Sequence, residues 1–436
     1  MDALLRQWNE TYFDGQLSPE VLTIFDALAL STQSETVKGI LERQFRAMKQ
    51  THFQATDFTD DLARGLYGVL NIFTKTWNGI PPPITFAGRH RKLDSYITCN
   101  RWWELPLRGT LLDLGCGFPP LTTVETAKKL PEWHIIGADP TIPHFIVYDE
   151  QGDYATFNET GDVLYFQGQG TRFGAFTQDP AGTKAYFSQL FRSLMDKQKE
   201  IRVDEVKSME CNGGRLVTNP IGAYESPNLS FQTAGIGAVD IQGVDVVRCF
   251  NVLVYFDRPF RNEALSWFTE IVRDGGLVLC GENSWCSLSS RYTVFQREQG
   301  RLVEKEFAIS IDTLRVPSDV MPWWAFHNDE VEMHRQAMLV EQIRADTTFR
   351  RDFDSRLDAL LAEHRLFERG TDGYLTSWGP EIPADKVERL AQINEQLDQE
   401  GYVEGAVNVL IQAGYNAWQN CVGHICVDPA QFEIRR

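Results

Sequence analysis

The residues best placed to do chemistry form one short run, Leu111-Leu112-Asp113-Leu114-Gly115-Cys116-Gly117. Glycines directly after a buried strand let the backbone turn sharply and approach a ligand with no Cβ in the way. The next helix, expected from Thr122 to Leu130, would turn its N-terminal N–H groups toward that ligand. Asp139 ends the following apolar run, His134 to Ala138, where a carboxylate can accept hydrogen bonds from both hydroxyls of a ribose. A dinucleotide site would want a third glycine where Pro120 stands, and no negative charge beside a pyrophosphate. Asp113, two residues before the first glycine, suits a sulfonium and an α-ammonium group instead. The pattern predicts a site for S-adenosylmethionine (SAM) rather than for a nicotinamide dinucleotide, with Asp113, Gly115, Cys116, Gly117, Asp139 and Pro140 around the cofactor.

The elements that must hold these residues follow from periodicity. Thr110–Leu114, the helix and His134–Ala138 make a strand–helix–strand unit, which packs as a right-handed parallel crossover. The rhythm resumes at Val244–Phe250, with a helix from Arg258 to Arg273 and a strand from Leu277 to Cys280 after the turn Asp274-Gly275-Gly276. Runs at 292–295 and 302–307 read as a hairpin. Between about 143 and 230 the runs His144–Tyr148, Tyr154–Phe157 and Asp162–Phe166 alternate with Gly-Asp turns and precede a helix near 185–200. This reads as an inserted antiparallel meander, either a lid over the site or a decorated surface. Helical stripes precede the cofactor domain (Val21, Phe25, Leu28; Val37, Ile40, Leu41, Phe45, Met48) and end at Pro81-Pro82-Pro83. Others follow it (Leu357, Leu360, Leu361; Leu390, Ile393, Leu397), before a final strand from Trp418 to Val427. The expected fold is α/β: a Rossmann-like SAM-methyltransferase sheet over 84–314, with a helical region at 1–83, a mainly helical one at 315–436, and the β-rich insertion.

From about 105 to 310 the chain resembles the class I SAM-dependent methyltransferases, on the motif Asp113-Leu114-Gly115-Cys116-Gly117. The segment Asp245-Val246-Val247-Arg248-Cys249-Phe250-Asn251-Val252-Leu253-Val254-Tyr255-Phe256-Asp257 is similar to D-x-I-F-C-R-N-V-L-I-Y-F-D of the chemotaxis-receptor (CheR-type) glutamate methyltransferases. Gly275–Asn283 and the hairpin at 289–307 resemble that family too. The resemblance implies that Phe250 and Asn251 occupy the cofactor-contacting Arg-Asn positions, and that Tyr255 lies near the transferred methyl group. It places Gly235 and Ile236 roughly at the adenine. The family's G-E-E-P loop is Gly117-Phe118-Pro119-Pro120 here, and its basic receptor-docking helices find no match in an acidic N-terminus. The resemblance therefore carries over fold and cofactor, and not a receptor glutamate.

Methyl transfer is an in-line displacement, so aligning the nucleophile and excluding water matter most, and a base is needed only for an acceptor that must lose a proton. Tyr255 and Glu282 are the candidate catalytic groups. Tyr255 also reads as a packed aromatic, and Glu282 as a cap on the next turn. The cluster Phe86-Ala87-Gly88-Arg89-His90-Arg91-Lys92 holds either an anionic group of cofactor or acceptor, or only solvent. Trp102-Trp103 and Trp323-Trp324 read as walls of an acceptor pocket or as core.

A net charge of -18 argues against nucleic-acid backbones as partners. No apolar stretch of about 18 residues and no secretory start are present, so no membrane partner and a cytoplasmic location are expected. The eight cysteines lack a dense framework, and reduced thiols are expected. Cys421, His424 and Cys426 have no second ligand pair nearby and sit in an apolar run, so no metal is expected. The function expected is SAM-dependent methyl transfer to a small-molecule or peptide acceptor. The competing class is a non-catalytic SAM-fold regulatory or scaffold subunit.

Overall fold

The computed structural model describes residues 1–50, 54–60, 62–64, 66–67, 70, 85, 87–99, 105–167, 179–201, 208–211, 213–283, 289–314, 330–364 and 384–434. Pro81-Pro82-Pro83, Phe86, Trp102-Trp103 and Trp323-Trp324 lie outside the described residues. Strands β1 (Thr110–Leu114) and β2 (His134–Ala138) open the main sheet. A second sheet follows, made of β3 (Phe145–Tyr148), β4 (Tyr154–Phe157), β5 (Val163–Gln167), β6 (Ser208–Cys211) and β7 (Gly214–Thr218). The chain then returns to the first with β8 (Leu229–Gln232), β9 (Val244–Phe250), β10 (Val272–Asn283), β11 (Ser290–Glu298), β12 (Arg301–Ile309), β13 (Ala417–Gln419) and β14 (Ile425–Val427).

The main sheet has the order β13-β14-β12-β11-β10-β9-β1-β2-β8. Its first five strands in chain order, β8-β2-β1-β9-β10 in space, are parallel, and the rest add antiparallel. Every residue of β9 is buried, as a central parallel strand covered on both faces requires. Alternate side chains serve opposite faces. Leu111, Ile135, Val246 and Leu277 meet Leu93, Tyr96 and Ile97 of one helix and Ala127 of another, while Leu112, Ile136, Val247 and Val278 meet Ala264, Phe268 and Ile271 on the far side.

Among the described residues the longer helices are, in chain order, α1 (Ala3–Phe13), α2 (Pro19–Asp26), α3 (Glu35–Gln50), α4 (Arg91–Thr98), α5 (Leu121–Lys129), α6 (Pro180–Ile201) and α7 (Arg258–Ile271), then α8 (Glu330–Ala345), α9 (Thr347–Glu363), α10 (Ala384–Gln399) and α11 (Tyr402–Gln412). Asp2 and Ser18 cap α1 and α2 by accepting from free N–H groups, and Pro19 fits the first turn of α2. The N-terminal helices close around Phe45, whose ring meets Trp8, Phe13, Phe25 and Phe58 edge-on.

The C-terminal helices α8–α11 do not form a separate core. Leu339, Leu360, Ile393 and Leu410 pack with Phe307 and Ile309 of β12, and the β13–β14 hairpin extends the main sheet. A boundary at 315 therefore cuts through one hydrophobic cluster, and the expected single strand from Trp418 to Val427 is this hairpin. Cys99, at the end of α4, and Cys421, in the β13–β14 turn, form a disulfide with a Cα–Cα distance of 6.2 Å. This corrects the expectation of reduced thiols for that pair: α4 and the hairpin pack into one cluster with β11, which brings the two ends together. Among the described residues, no helix is long and apolar enough to cross a membrane, and no cluster of His, Cys, Asp and Glu is arranged to hold a metal ion.

Candidate functional site

In a doubly wound sheet the loops leaving neighbouring strands diverge where the strand order reverses, and ligands bind in the crevice outside the carboxyl ends there. Here that point lies between β1 and β9. Gly115 (φ +75°) and Gly117 (φ +64°) both take left-handed backbone conformations at the end of β1, which glycine adopts without a Cβ penalty. Gly115 N–H donates to the Ala138 carbonyl at 2.8 Å, and Gly117 N–H to Asp139 Oδ2 at 3.1 Å, so the turn is tied to the tip of β2. Asp139 Oδ1 accepts from Thr141 N–H at 2.7 Å and from its hydroxyl at 2.5 Å. A carboxylate offers about four acceptor positions, so Asp139 keeps one beyond these three.

Pro140 and Gly235 face each other across that tip: a Cβ on Gly235 would lie 3.9 Å from the proline ring. Ile236 packs beside them against the apolar cluster under the sheet. Cys116 is buried with Phe118, Ile142, Ile146 and Ile221. Burial first, then the Asp139 and Asp113 charges, push its thiol well above the usual range, so it is a packing residue in the protonated form. A Cβ on Gly115 would overlap the Cγ2 methyl of Val252, which reaches over from the loop after β9. The space beside Gly115 is thus filled from within the protein.

Asp113 turns away from the crevice, into the layer between the sheet and α4–α5. Arg248 of β9 grips it twice, Nε to Oδ1 at 2.9 Å and Nη2 to Oδ2 at 2.7 Å, and reaches Asp94 of α4 with Nη1 at 2.6 Å. The Thr123 hydroxyl donates to Asp113 at 2.6 Å and the Thr126 hydroxyl to Asp94 at 2.7 Å. Burial alone would lower the Arg248 pKa, but the two carboxylates raise it; burial raises Asp94 against the opposing pull of Arg248. The carboxylate expected to face an α-ammonium group is therefore engaged by a guanidinium. An arginine following Val246-Val247 inside the strand-like run 244–250 was the signal for this triad, because a buried charge must be paired.

On the β9–β10 side, Asn251 adopts φ +57°, a region asparagine tolerates better than most residues. Its side-chain carbonyl accepts from Asn283 N–H at 3.0 Å, bridging the ends of the two strands. Phe250 is buried among His90 and Tyr292, with ring distances of 5.6 and 5.9 Å, and belongs to the core rather than the crevice. Glu282 lies 2.8 Å from the Arg291 guanidinium across the β10–β11 ladder, an ion pair and not a cap. Tyr255 ends a short 3-10 turn and packs against the N-terminal helical cluster. Of the basic cluster, Arg89 reaches the crevice side. Its Nη2 donates to the Asn283 carbonyl at 2.6 Å, and Gly88 N–H is held by Glu125 of α5 at 2.7 Å. The structure thus brings together two groups: Gly117, Asp139, Pro140, Gly235 and Ile236 around β2, and Arg89, Asn251 and Glu282 around β9–β10. Asp113, Phe250 and Tyr255 stand apart from both.

Two buried histidines give this frame a pH dependence. Burial, then Arg248 and Arg89, hold His90 well below the usual histidine range; burial, then Lys92, does the same to His424, whose Nδ1 shares a hydrogen bond with the Tyr292 hydroxyl at 2.9 Å. Both are neutral in the fold but protonate in the unfolded chain as pH falls below about 6.5. The unfolded state then binds more protons, so stability present above that pH declines by up to about 1.4 kcal/mol per histidine per pH unit. Urea unfolding from pH 7.5 to 5.5 should show this slope, and His90→Gln with His424→Gln should flatten it. Asp94 and Glu306, raised by burial, act in the opposite direction at lower pH, so the difference between the two proteins is the quantity to read. Equal slopes would mean that the rings protonate inside the fold.

No known family's sequence pattern matches the chain, and no curated protein does. Among solved structures it is similar to PKMT2 of Rickettsia typhi in complex with AdoHcy, at 11% identity and a TM-score of 0.22, over 47% of this chain and 27% of that one. It is also similar to an S-adenosylmethionine-dependent methyltransferase from Clostridium acetobutylicum, at 12% identity and a TM-score of 0.21, over 50% of this chain and 65% of that one. A third is an O-methyltransferase family 2 protein from Planctomyces limnophilus in complex with apigenin, at 10% identity and a TM-score of 0.23, covering 92% of this chain and 68% of that one. The chain spans about a quarter of the length of the first of these.

Proposed function

We propose that the crevice between β1 and β9 binds SAM and that the protein transfers its methyl group to a small-molecule or peptide acceptor. The observation that carries this reading is the placement of Asp139: a carboxylate at the tip of β2, hydrogen-bonded to the glycine turn, with one acceptor position remaining beside the switch point. The residues present fit the cofactor in part. Asp139 would accept from a ribose hydroxyl, the edge formed by Pro140 and Gly235 would lie alongside the adenine, and Arg89 would pair with a carboxylate. The α-ammonium group finds no partner in Asp113. Bound there, SAM supplies an electrophilic methyl group on a good leaving group.

The chain's own contribution is positional. Asn251, held by its bond to Asn283, fixes the end of β9 against β10, and the Arg248 triad fixes β9 against β1. The glycine turn, locked by Val252 and Asp139, presents a rigid edge, which is what alignment of an in-line displacement requires. Glu282, in its ion pair with Arg291, would act as a base only for an acceptor that draws Arg291 away. Tyr255 enters this reading only as the contact of the short turn after β9 with the N-terminal helices.

The test is calorimetric titration with SAM, S-adenosylhomocysteine and NAD. Asp139→Asn should weaken S-adenosylhomocysteine binding by about 10- to 100-fold, the worth of a charge-assisted hydrogen bond, read well below a melting temperature that should itself fall, because the amide leaves the N–H of Gly117 or of Thr141 without its acceptor. Failure of the wild-type protein to bind either sulfur ligand, or tighter binding of NAD, would overturn the reading. A second reading, a non-catalytic subunit of the same fold, is favoured by one observation: Asp113 and the space beside Gly115 are both used up inside the protein. Following labelled methyl from SAM into cell extract separates the two, since only the first predicts a labelled product.

A further inference from the structure

The insertion has two unlike faces. One is sealed by α6, through Phe187, Phe191 and Leu194 against Phe145, Val147, Ala155, Phe157 and Leu216. On the other, cross-strand register sets the side chains in rows. Val217, Ile146, Thr156 and Tyr165 form the row beneath the glycine loop, where Ile146 is buried beside Phe118 and the Tyr165 hydroxyl donates to the Phe118 carbonyl at 3.0 Å. The next row, Arg215, Tyr148 and Tyr154, emerges half-buried at the edge of that contact. Tyr224, also half-buried, stands beside it with its ring 6.0 Å from Phe118. Three half-buried tyrosines therefore line the edge of the apolar cluster under the glycine loop.

The wall already holds a cation. The Arg215 guanidinium lies 4.0 Å above the Tyr148 ring centroid, and no hydrogen bond or ion pair to any described residue holds it there. Its remaining cross-strand neighbour is Glu210, and the turn joining Tyr148 to Tyr154 carries Asp149, Glu150 and Asp153. An aromatic face among carboxylates attracts a positive charge by its quadrupole and by the surrounding field, worth about 0.5–2 kcal/mol for the face alone. Burial keeps the Tyr165 and Tyr224 phenols protonated, so the wall offers neutral faces and hydroxyls rather than phenolates.

We propose that this tyrosine wall is the acceptor subsite and that it takes an organic cation, a guanidinium or alkylammonium group, in the place where Arg215 now rests. As an acceptor site the proposal rests on the methyl-transfer reading; as a cation site it stands by itself. Methylguanidinium and its neutral isostere N-methylurea are the probes, titrated in the absence of SAM while tyrosine fluorescence and ring NMR signals are followed. Arg215→Met keeps the aliphatic stem and removes the resident charge. It should bind methylguanidinium at least 10-fold more tightly than wild type does, and bind N-methylurea at least 10-fold more weakly than the cation. Adding Tyr148→Leu should abolish the gain with the far-UV spectrum unchanged. No binding by Arg215→Met, or equal binding of cation and urea, overturns the proposal. SAM binding by a protein that ignores the cation would sink this inference alone, whereas cation binding without SAM binding would sink only the methyl-transfer reading.

Discussion

Arg248→Leu should destabilise the protein by about 3–5 kcal/mol, the cost of stripping the partner from buried charges. Arg248 is fully buried and makes three hydrogen bonds to Asp113 and Asp94, which are themselves 2% exposed. Without it two carboxylates share one desolvated layer, with only the Thr123 and Thr126 hydroxyls to support them. Burial then raises Asp94 without the opposing pull of Arg248. Because a raised acid contributes its stability below its unfolded pKa and loses it as pH rises, the variant should regain stability on acidification toward pH 4. Combining Arg248→Leu with Asp94→Asn and Asp113→Asn removes every formal charge and should recover more than half of the loss, since an apolar replacement of a whole buried ion cluster is often near neutral. Urea unfolding of the single and triple variants at pH 7 and pH 5 reads all of this. A single variant within 1 kcal/mol of wild type would mean that water reaches the triad.

The same triad shows where the sequence stops being legible. Strands β1, β2, β9 and β10 are readable because their apolar runs are bounded by glycine, proline and acidic punctuation, and Asp139 is readable because it ends one of them. The insertion is readable from its turn signals, and its helix from length. What periodicity does not carry is pairing through space. Asp113 has the charge and spacing of a ligand-facing acid, and only the fold shows Arg248 beside it and Asp94, 154 residues from that arginine, on the far side. Val252 filling the space at Gly115, and Cys421 meeting Cys99 across 322 residues, are contacts of the same kind. The C-terminal hairpin joins the main sheet for a reason invisible in its own short strands: β12 leaves an open edge that β14 covers. Glu282 illustrates the converse, since its position at the carboxyl end of β10 was legible and its ion pair with Arg291 was not.

Gly115→Ala should cost about 2–5 kcal/mol, from about 1–2 for an alanine held in a left-handed conformation and about 1–3 for overpacking. The backbone part is fixed by φ +75°, and the packing part by the overlap of the new methyl with Val252 Cγ2. The two can be separated by a double-mutant cycle. Val252→Ala removes the opposing methyl, so Gly115→Ala in that background should cost only the backbone part, leaving a favourable coupling of about 1–3 kcal/mol between the two changes. Additive losses would show that the loop after β9 moves aside, and that the interlock contributes nothing. The cycle also decides what the glycine is for. If Gly115 serves the interlock, the double variant should bind S-adenosylhomocysteine as the Val252→Ala protein does. A further loss of affinity on adding the Gly115 methyl, in a background where it no longer strains the fold, would place the ligand against the turn itself.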